Sequence, residues 1–361
     1  MTDKREILKE IFGIIAPGQP LRNAIDRIQE ASLGALIILC EPSEIEGLME
    51  GGFILDTTFS PQKVYELAKM DGAVIVSKDI KKIYGANLQL QPDHTLITDE
   101  SGTRHRTAHR MAMQTGNIVI TISERRNKIT IYKDNIKYSL DSLGDLLIKS
   151  SQAIMSLEKY SSIINRCLNN INHLEYEKLV TLEEVVRVIR FFILLFNMEN
   201  KINQYILELG TEGKTLQLQN KEIMIGHKKN FTNLIKDYSF NCDKKEKYDK
   251  ILDKVLKVDS TDITEDEYIV NLLGYNVKNL IMEDSLIAKG YRLLGNIPSL
   301  TKKETENIIG EFKDVSGILN ASVKEIQAVK GLTKNKAYKV VRVCDKYKNR
   351  IEMEVFWGVQ W

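Results

Sequence analysis

The chain has little cysteine and spaces it widely. Its 361 residues hold four, Cys40, Cys167, Cys242 and Cys344, with no CxxC pair and no Cys/His spacing. That argues against a structural zinc site. Scattered cysteines fit a reducing compartment, where each serves as a small apolar filler. A long hydrophobic run is also missing. The most apolar stretch, Phe191 to Phe196, is far too short to cross a bilayer and closely follows Arg187 and Arg190, so it reads as a buried turn of a long helix. The opening residues, Met1 to Glu6, lack the apolar core of a secretion signal. These absences lead us to expect a cytoplasmic chain with no membrane partner. Nor is there an excess of one charge. Lys and Arg number 51 against 49 Asp and Glu, a net +2, so any nucleic-acid site must be a local patch. What remains is ordinary for a globular protein: 43% hydrophobic and 28% charged residues. The length allows two or three domains, each with its own core.

Residues 1 to about 145 alternate helix and strand signals. Lys4 to Ile15 and Leu21 to Ala31 carry apolar residues at helical spacing. Ala35-Leu36-Ile37-Ile38-Leu39 is continuous and apolar, as a strand buried on both faces requires. Gly51-Gly52 breaks the chain before Phe53-Ile54-Leu55, and Ser60-Pro61 is a helix start. Asp71-Gly72 turns into the strand Ala73 to Val76, and Tyr84 to Leu90 reads as extended. A basic helix follows from Thr103 to Thr115. Ile118 to Ile122, Ile129 to Tyr132 and Ile136 to Leu140 are then strands joined by tight turns. The expected fold is an α/β domain with a mixed sheet between helices.

From 146 to 291 the strand signals vanish. Ile148 to His173 and Thr181 to Leu209 are predicted long helices, the second opened by a Thr181/Glu184 capping box and stopped by Gly210. The mixed-sign run Asp243 to Lys247 is a solvated face. This all-α stretch reads as a spacer and assembly element. Residues 292–361 hold two short helix pairs and a tail with both tryptophans.

The densest chemistry lies at Ser101-Gly102-Thr103-Arg104-His105-Arg106-Thr107-Ala108-His109-Arg110. Three arginines and two histidines crowd a helix start, where the macrodipole is already positive. Free N–H groups, hydroxyls and guanidinium forks in one place suit a polyphosphate. Asp71-Gly72-Ala73 and Gly102-Thr103-Arg104-His105-Arg106-Thr107-Ala108 resemble the paired DGA and GTRHRTA motifs of the diadenylate cyclase family. Over nearly the full length the chain is similar to members that join such a domain to a helical spacer and a terminal helix-hairpin-helix module.

The resemblance implies condensation of two ATP into cyclic di-AMP and two pyrophosphates, with Mg2+ or Mn2+. Asp71 is the candidate metal carboxylate, or else simply an Asx turn. Gly72 and Ala73 would lie along the nucleotide, and Gly102 at the loop. Thr103 would contact the ligand or serve as a helix N-cap. Thr107 would donate to phosphate or ribose. Arg104 and Arg106 are phosphate candidates, unless one of them braces the loop by an internal ion pair, and the family pattern favours Arg104 as the direct ligand. His105 would touch phosphate or the partner's metal, unless it makes a structural hydrogen bond. Ser123 aligns with a phosphate-binding serine, or else is an ordinary strand-end hydroxyl, and Leu90 would offer backbone groups to adenine. His109 departs from the family, which usually has Glu there to pair with an arginine, and this implies weakened or altered activity. One ATP cannot cyclise alone, so two sites must face each other. The resemblance implies an octamer of facing tetramers.

At the C-terminal end, Ile297 to Thr301 and Val329 to Thr333 precede helices in the manner of helix-hairpin-helix motifs. The first turn lacks glycine, and the second has Gly331 with Thr333 in place of a later glycine. Lys330, Gly331, Thr333, Lys334 and Lys336 are candidate DNA contacts, although the three lysines also fit a solvated helix start. The resemblance implies branched DNA, such as a four-way junction, as a regulatory ligand and places the chain near the nucleoid. The competing reading is a DNA-binding scaffold whose nucleotide domain has decayed.

Overall fold

The computed structural model describes residues 4–240, 250–251, 253–254, 266–275 and 283–356. Cys242, the charge run Asp243 to Lys247 and both tryptophans lie outside them. The chain divides into two compact units, Met1–Gln152 with Asn203–Leu218, and Ala153–Ile202 with Gln219–Trp361.

The first unit is a three-layer sandwich. Its strands are β1 (Ala35–Leu39), β2 (Met49–Glu50), β3 (Phe53–Thr58), β4 (Ala73–Val76), β5 (Lys82–Leu90), β6 (Ile118–Ser123), β7 (Lys128–Lys133) and β8 (Ile136–Leu140). Spatial order is β2-β5-β4-β1-β6-β7-β8, with β3 also paired to β5. Only β1 and β4 run parallel, with Leu36 opposite Ala73; the remaining pairs are antiparallel. The sheet is therefore mixed, as expected.

Both faces of β1 are buried because helices cover each side. Helices α1 (Lys4–Ile15), α2 (Pro20–Glu30) and α3 (Pro61–Leu67) pack on one face with Ile37, Leu39, Val74 and Val76. Helix α4 (Thr103–Thr115) packs on the other, setting Ala108, Met111 and Ala112 against Leu36, Ile38, Ile75, Val119 and Tyr132. The alternation along each strand sends successive residues to opposite faces. Ser60 caps α3 by accepting the Lys63 N–H at 3.2 Å, with Pro61 in its first turn.

Three apolar residues are a thin stripe for a helix of this length. Burying the Met111 side chain contributes roughly 1.5–3 kcal/mol, and it fixes which face of α4 turns inward. That choice leaves Thr103 and Arg106 exposed at the N-terminal end. Residues 203–218, which sequence assigned to the spacer, belong to this first unit: Tyr138 donates to Glu208 at 2.6 Å, and Thr211 to the Pro17 carbonyl at 3.3 Å.

The long helices are α5 (Leu143–Glu177) and α6 (Leu182–Leu209), whose residues 153–177 and 182–202 belong to the second unit. Phe192, Ile193, Leu195 and Phe196 are buried, and Phe192 lies 5.3 Å from Phe231 between ring centroids. The apolar run is thus a helix interior. No helix among the described residues is long and apolar enough to cross a membrane.

Candidate functional site

Asp71 ends the loop before β4, and Arg104 sits in the first turn of α4. The two converge, with Arg104 Nη2 donating to Asp71 Oδ1 at 3.1 Å. Asp71 is 97% exposed and Arg104 36%, so the pair lies open at the surface and contributes little to stability. Gly72 makes the turn possible. Its φ is +93°, and a Cβ there would stand 2.7 Å from the Asn87 carbonyl carbon.

Arg104 is held by a residue that sequence reading missed. Its guanidinium crosses the face of Gly34, where an added Cβ would fall 2.0 Å from Nη1. Gly34 has ordinary backbone torsion, so nothing local marks it; only the space it leaves matters. The Gly34→Ala protein should fold normally, because the flexible end of an arginine can move aside. Its Arg104 guanidinium should leave Asp71, which a crystal structure of the variant checks. An Arg104–Asp71 bond kept in the variant would show that the close approach to Gly34 is incidental.

Gly102, not Thr103, is the N-cap of α4, which corrects one of the two readings of Thr103. A Cβ on Gly102 would meet only His105 Cδ2 at 3.5 Å, so this chain's own packing leaves room there. The first turn carries no acidic residue. The side chains of Thr103, Arg106 and Thr107 make no hydrogen bond or ion pair among the described residues. These are unused donors beside the positive end of a helix.

Several other candidates are engaged elsewhere. Ala73 is fully buried in the α4-side core, so its side chain cannot line a surface site. Leu90 is also buried; its strand pairs with Met49 on one edge and extends past the last β4 pair, Leu88 with Ala73, on the other. Ser123 Oγ accepts the Arg126 N–H at 3.3 Å and so caps the β6–β7 turn. A cavity of about 330 Å³ lined by Met49, Ile54, Ile75 and Tyr84, among others, includes none of the candidate residues.

Beneath the basic surface lies a polar cluster. His105 Nδ1 lies 2.9 Å from Tyr132 Oη and 3.0 Å from Thr121 Oγ1. Burial pushes the His105 pKa down, as do the Lys137, Arg126 and Arg104 charges, against an opposing pull from Glu100. His109 Nδ1 meets Thr98 Oγ1 at 2.7 Å, and its ring stacks on Tyr132 at 5.3 Å. Burial lowers its pKa too, and Nε2 is buried without a partner. The arginine expected to pair with position 109 is not there. Arg106 is exposed, and Arg110 donates to the Leu96 carbonyl at 2.9 Å.

In the C-terminal segment, helix Lys302–Phe312 opens with a Thr301/Glu304 capping box, and helix Val323–Ala328 with Ser322/Glu325. Gly331 turns the chain into helix Lys334–Phe356 with φ +89°. Lys330, Gly331, Thr333 and Lys334 are exposed. Lys336 is not a free cation. Its Nζ donates to both Glu304 oxygens, at 2.7 and 2.8 Å, and this bond above all holds the Glu304 carboxyl down at about 2. Lys336 therefore ties one helix pair to the other.

Residues 22–136 match the family model described as the DisA bacterial checkpoint controller nucleotide-binding domain, and residues 140–281 match the DisA bacterial checkpoint controller linker region. The chain is 41% identical over 331 residues to the DNA integrity scanning protein DisA of Clostridium botulinum (strain Eklund 17B / Type B), covering 91% of this chain and 92% of that protein. The chain belongs to the DisA family. It is also 41% identical over 336 residues to DisA of Bacillus subtilis (strain 168), with 92% of each chain covered. The two family segments meet near β8, where the sheet ends and α5 begins. The Asp71–Arg104 convergence falls inside the nucleotide-binding segment.

Proposed function

We propose that this chain is a diadenylate cyclase: it condenses two ATP molecules into cyclic di-AMP and releases two pyrophosphates. What carries the reading is the meeting of Asp71 with the N-terminus of α4. Phosphoryl transfer asks for positioning and charge neutralisation more than covalent help. The unengaged groups of Thr103, Arg106 and Thr107, with the free N–H groups of the first helical turn, suit a triphosphate. Arg104 swings between the carboxylate and a phosphate oxygen.

Asp71 offers one open carboxylate, and no cluster of three or more His, Cys, Asp or Glu occurs among the described residues. This fits Mg2+ or Mn2+, which take most of their ligands from water and substrate phosphates. Bound there, such an ion would lower the pKa of a ribose 3′-hydroxyl and screen the phosphates. His105 and Ser123 serve as further contacts.

Each ATP supplies both the nucleophile and the electrophile, so one open surface is half a site. The other half is a second copy related by a two-fold axis, and we assign the active form to a homo-oligomer, an octamer in the family pattern. Residues 292–361 act as a helix-hairpin-helix domain for branched DNA, with the exposed Gly331 turn, Lys330, Thr333 and Lys334 on the phosphates. Such contacts read shape and salt rather than sequence.

Incubation with ATP and Mn2+ followed by chromatography should yield cyclic di-AMP. Specific activity should fall on dilution as facing copies separate. A monomer that keeps full specific activity would overturn the facing-site mechanism.

A further inference from the structure

The cluster under α4 has a definite proton inventory. Glu100 is 14% exposed and forms an ion pair with Lys137. It is also hydrogen-bonded to the Tyr132 hydroxyl. A carboxylate so paired is ionised and can only accept, so the Tyr132 proton points to Glu100. Tyr132 Oη then has only lone pairs left for its other neighbour, His105 Nδ1, 2.9 Å away. The Thr121 hydroxyl reaches the Thr130 carbonyl at 3.3 Å, which leaves its oxygen facing the same nitrogen at 3.0 Å. Two lone-pair faces converge on Nδ1, so Nδ1 carries a hydrogen. In the neutral ring, Nε2 is then bare. Nε2 has no bond within the described residues, and the adjacent Cδ2 faces Gly102 at the helix N-cap.

We propose that Glu100 and Tyr132 are positioning residues: the relay Lys137–Glu100–Tyr132 fixes His105 as its Nδ1–H tautomer and so presents the Nε2 lone pair to the ligand at the start of α4. The assignment of a ligand there rests on the cyclase reading; the tautomer does not. A bare imidazole nitrogen can accept a hydroxyl proton or ligate a divalent ion, and a carboxylate behind the other nitrogen raises its basicity. His109 takes part from behind. Its ring stacks on Tyr132 and braces the phenol, which a glutamate at 109 cannot do.

The test uses the full chain labelled with 15N at histidine Nδ1 only. Magic-angle-spinning spectra of the sedimented protein separate protonated from bare ring nitrogens. The His105 signal is assigned by its loss in His105→Gln. We expect a protonated Nδ1 in the wild type, and a shift toward the bare form when both acceptors are removed in Tyr132→Phe/Thr121→Val. The same variant should lose about 10–100-fold in kcat with little change in KM for ATP. A bare Nδ1 in the wild type refutes the relay, as does a signal unmoved in the double variant. If the spectra agree but neither protein makes cyclic dinucleotide, the relay stands and the cyclase reading falls.

Discussion

Asp71→Asn should abolish cyclic di-AMP formation, by at least about 100-fold, while leaving the fold and the oligomer intact. The stability half of this expectation follows from exposure. Asp71 is 97% exposed and its one ion pair is at the surface, so losing its charge disturbs no core. The activity half separates two roles for this side chain. As a brace, Asp71 serves only to hold Arg104, and asparagine still accepts that guanidinium hydrogen bond through its amide oxygen. A brace would therefore survive the change. As a metal holder, Asp71 supplies negative charge, which asparagine lacks. ATP affinity gives the matching readout. Removing a negative charge beside Arg104 makes the surface more attractive to a triphosphate, so ATP binding without metal should hold or tighten as turnover collapses. Calorimetry without metal and product analysis with Mn2+ check the two halves. A variant with near-normal turnover would remove Asp71 from the metal role.

Much of this site was legible before any coordinates. β1 and β4 declared themselves by unbroken apolar runs, because a strand covered on both faces has no position for a polar side chain. The start of α4 was marked by cations gathered at the end of a helix that disfavours them. The rest depended on contacts between residues far apart in sequence. Gly34 matters only because Arg104 passes over it. Lys336 reads as a phosphate ligand from its neighbours in sequence, but Glu304, 32 positions away, holds its ammonium. Position 109 was read against a family arginine pairing, whereas here the ring turns inward onto Tyr132. Nothing local marks Glu100, just ahead of the cationic loop, because its neighbours Tyr132 and Lys137 come from β7 and β8.

The boundary drawn between residues 291 and 292 illustrates the same limit and leads to the second large effect. That line cuts through a buried polar network in the second unit. Asp237 accepts the N–H groups of Gly290, Tyr291 and Arg292 at 2.7, 2.6 and 2.9 Å. Glu175 on α5 accepts the Tyr238 hydroxyl at 2.5 Å and the Tyr347 hydroxyl at 3.2 Å. Arg292 lies 3.3 Å from Glu175 and also bonds Asn172. Arg292→Met should destabilise the chain by about 3–5 kcal/mol, since it leaves two buried carboxyls without their cation. The loss should depend on pH, and its sign can be worked out. Burial first, and then the Glu175 charge, push Asp237 up to about 7 from an ordinary 3.8, against the pull of Arg292. A carboxyl raised in the folded state binds more protons there than in the unfolded chain, so its contribution falls as pH rises between those two values. Without Arg292 the upward push grows. Denaturant unfolding of the variant should therefore show its largest deficit above neutral pH and recover part of it near pH 5. An equal deficit at both pH values would mean that packing, not charge, is what Arg292 supplies.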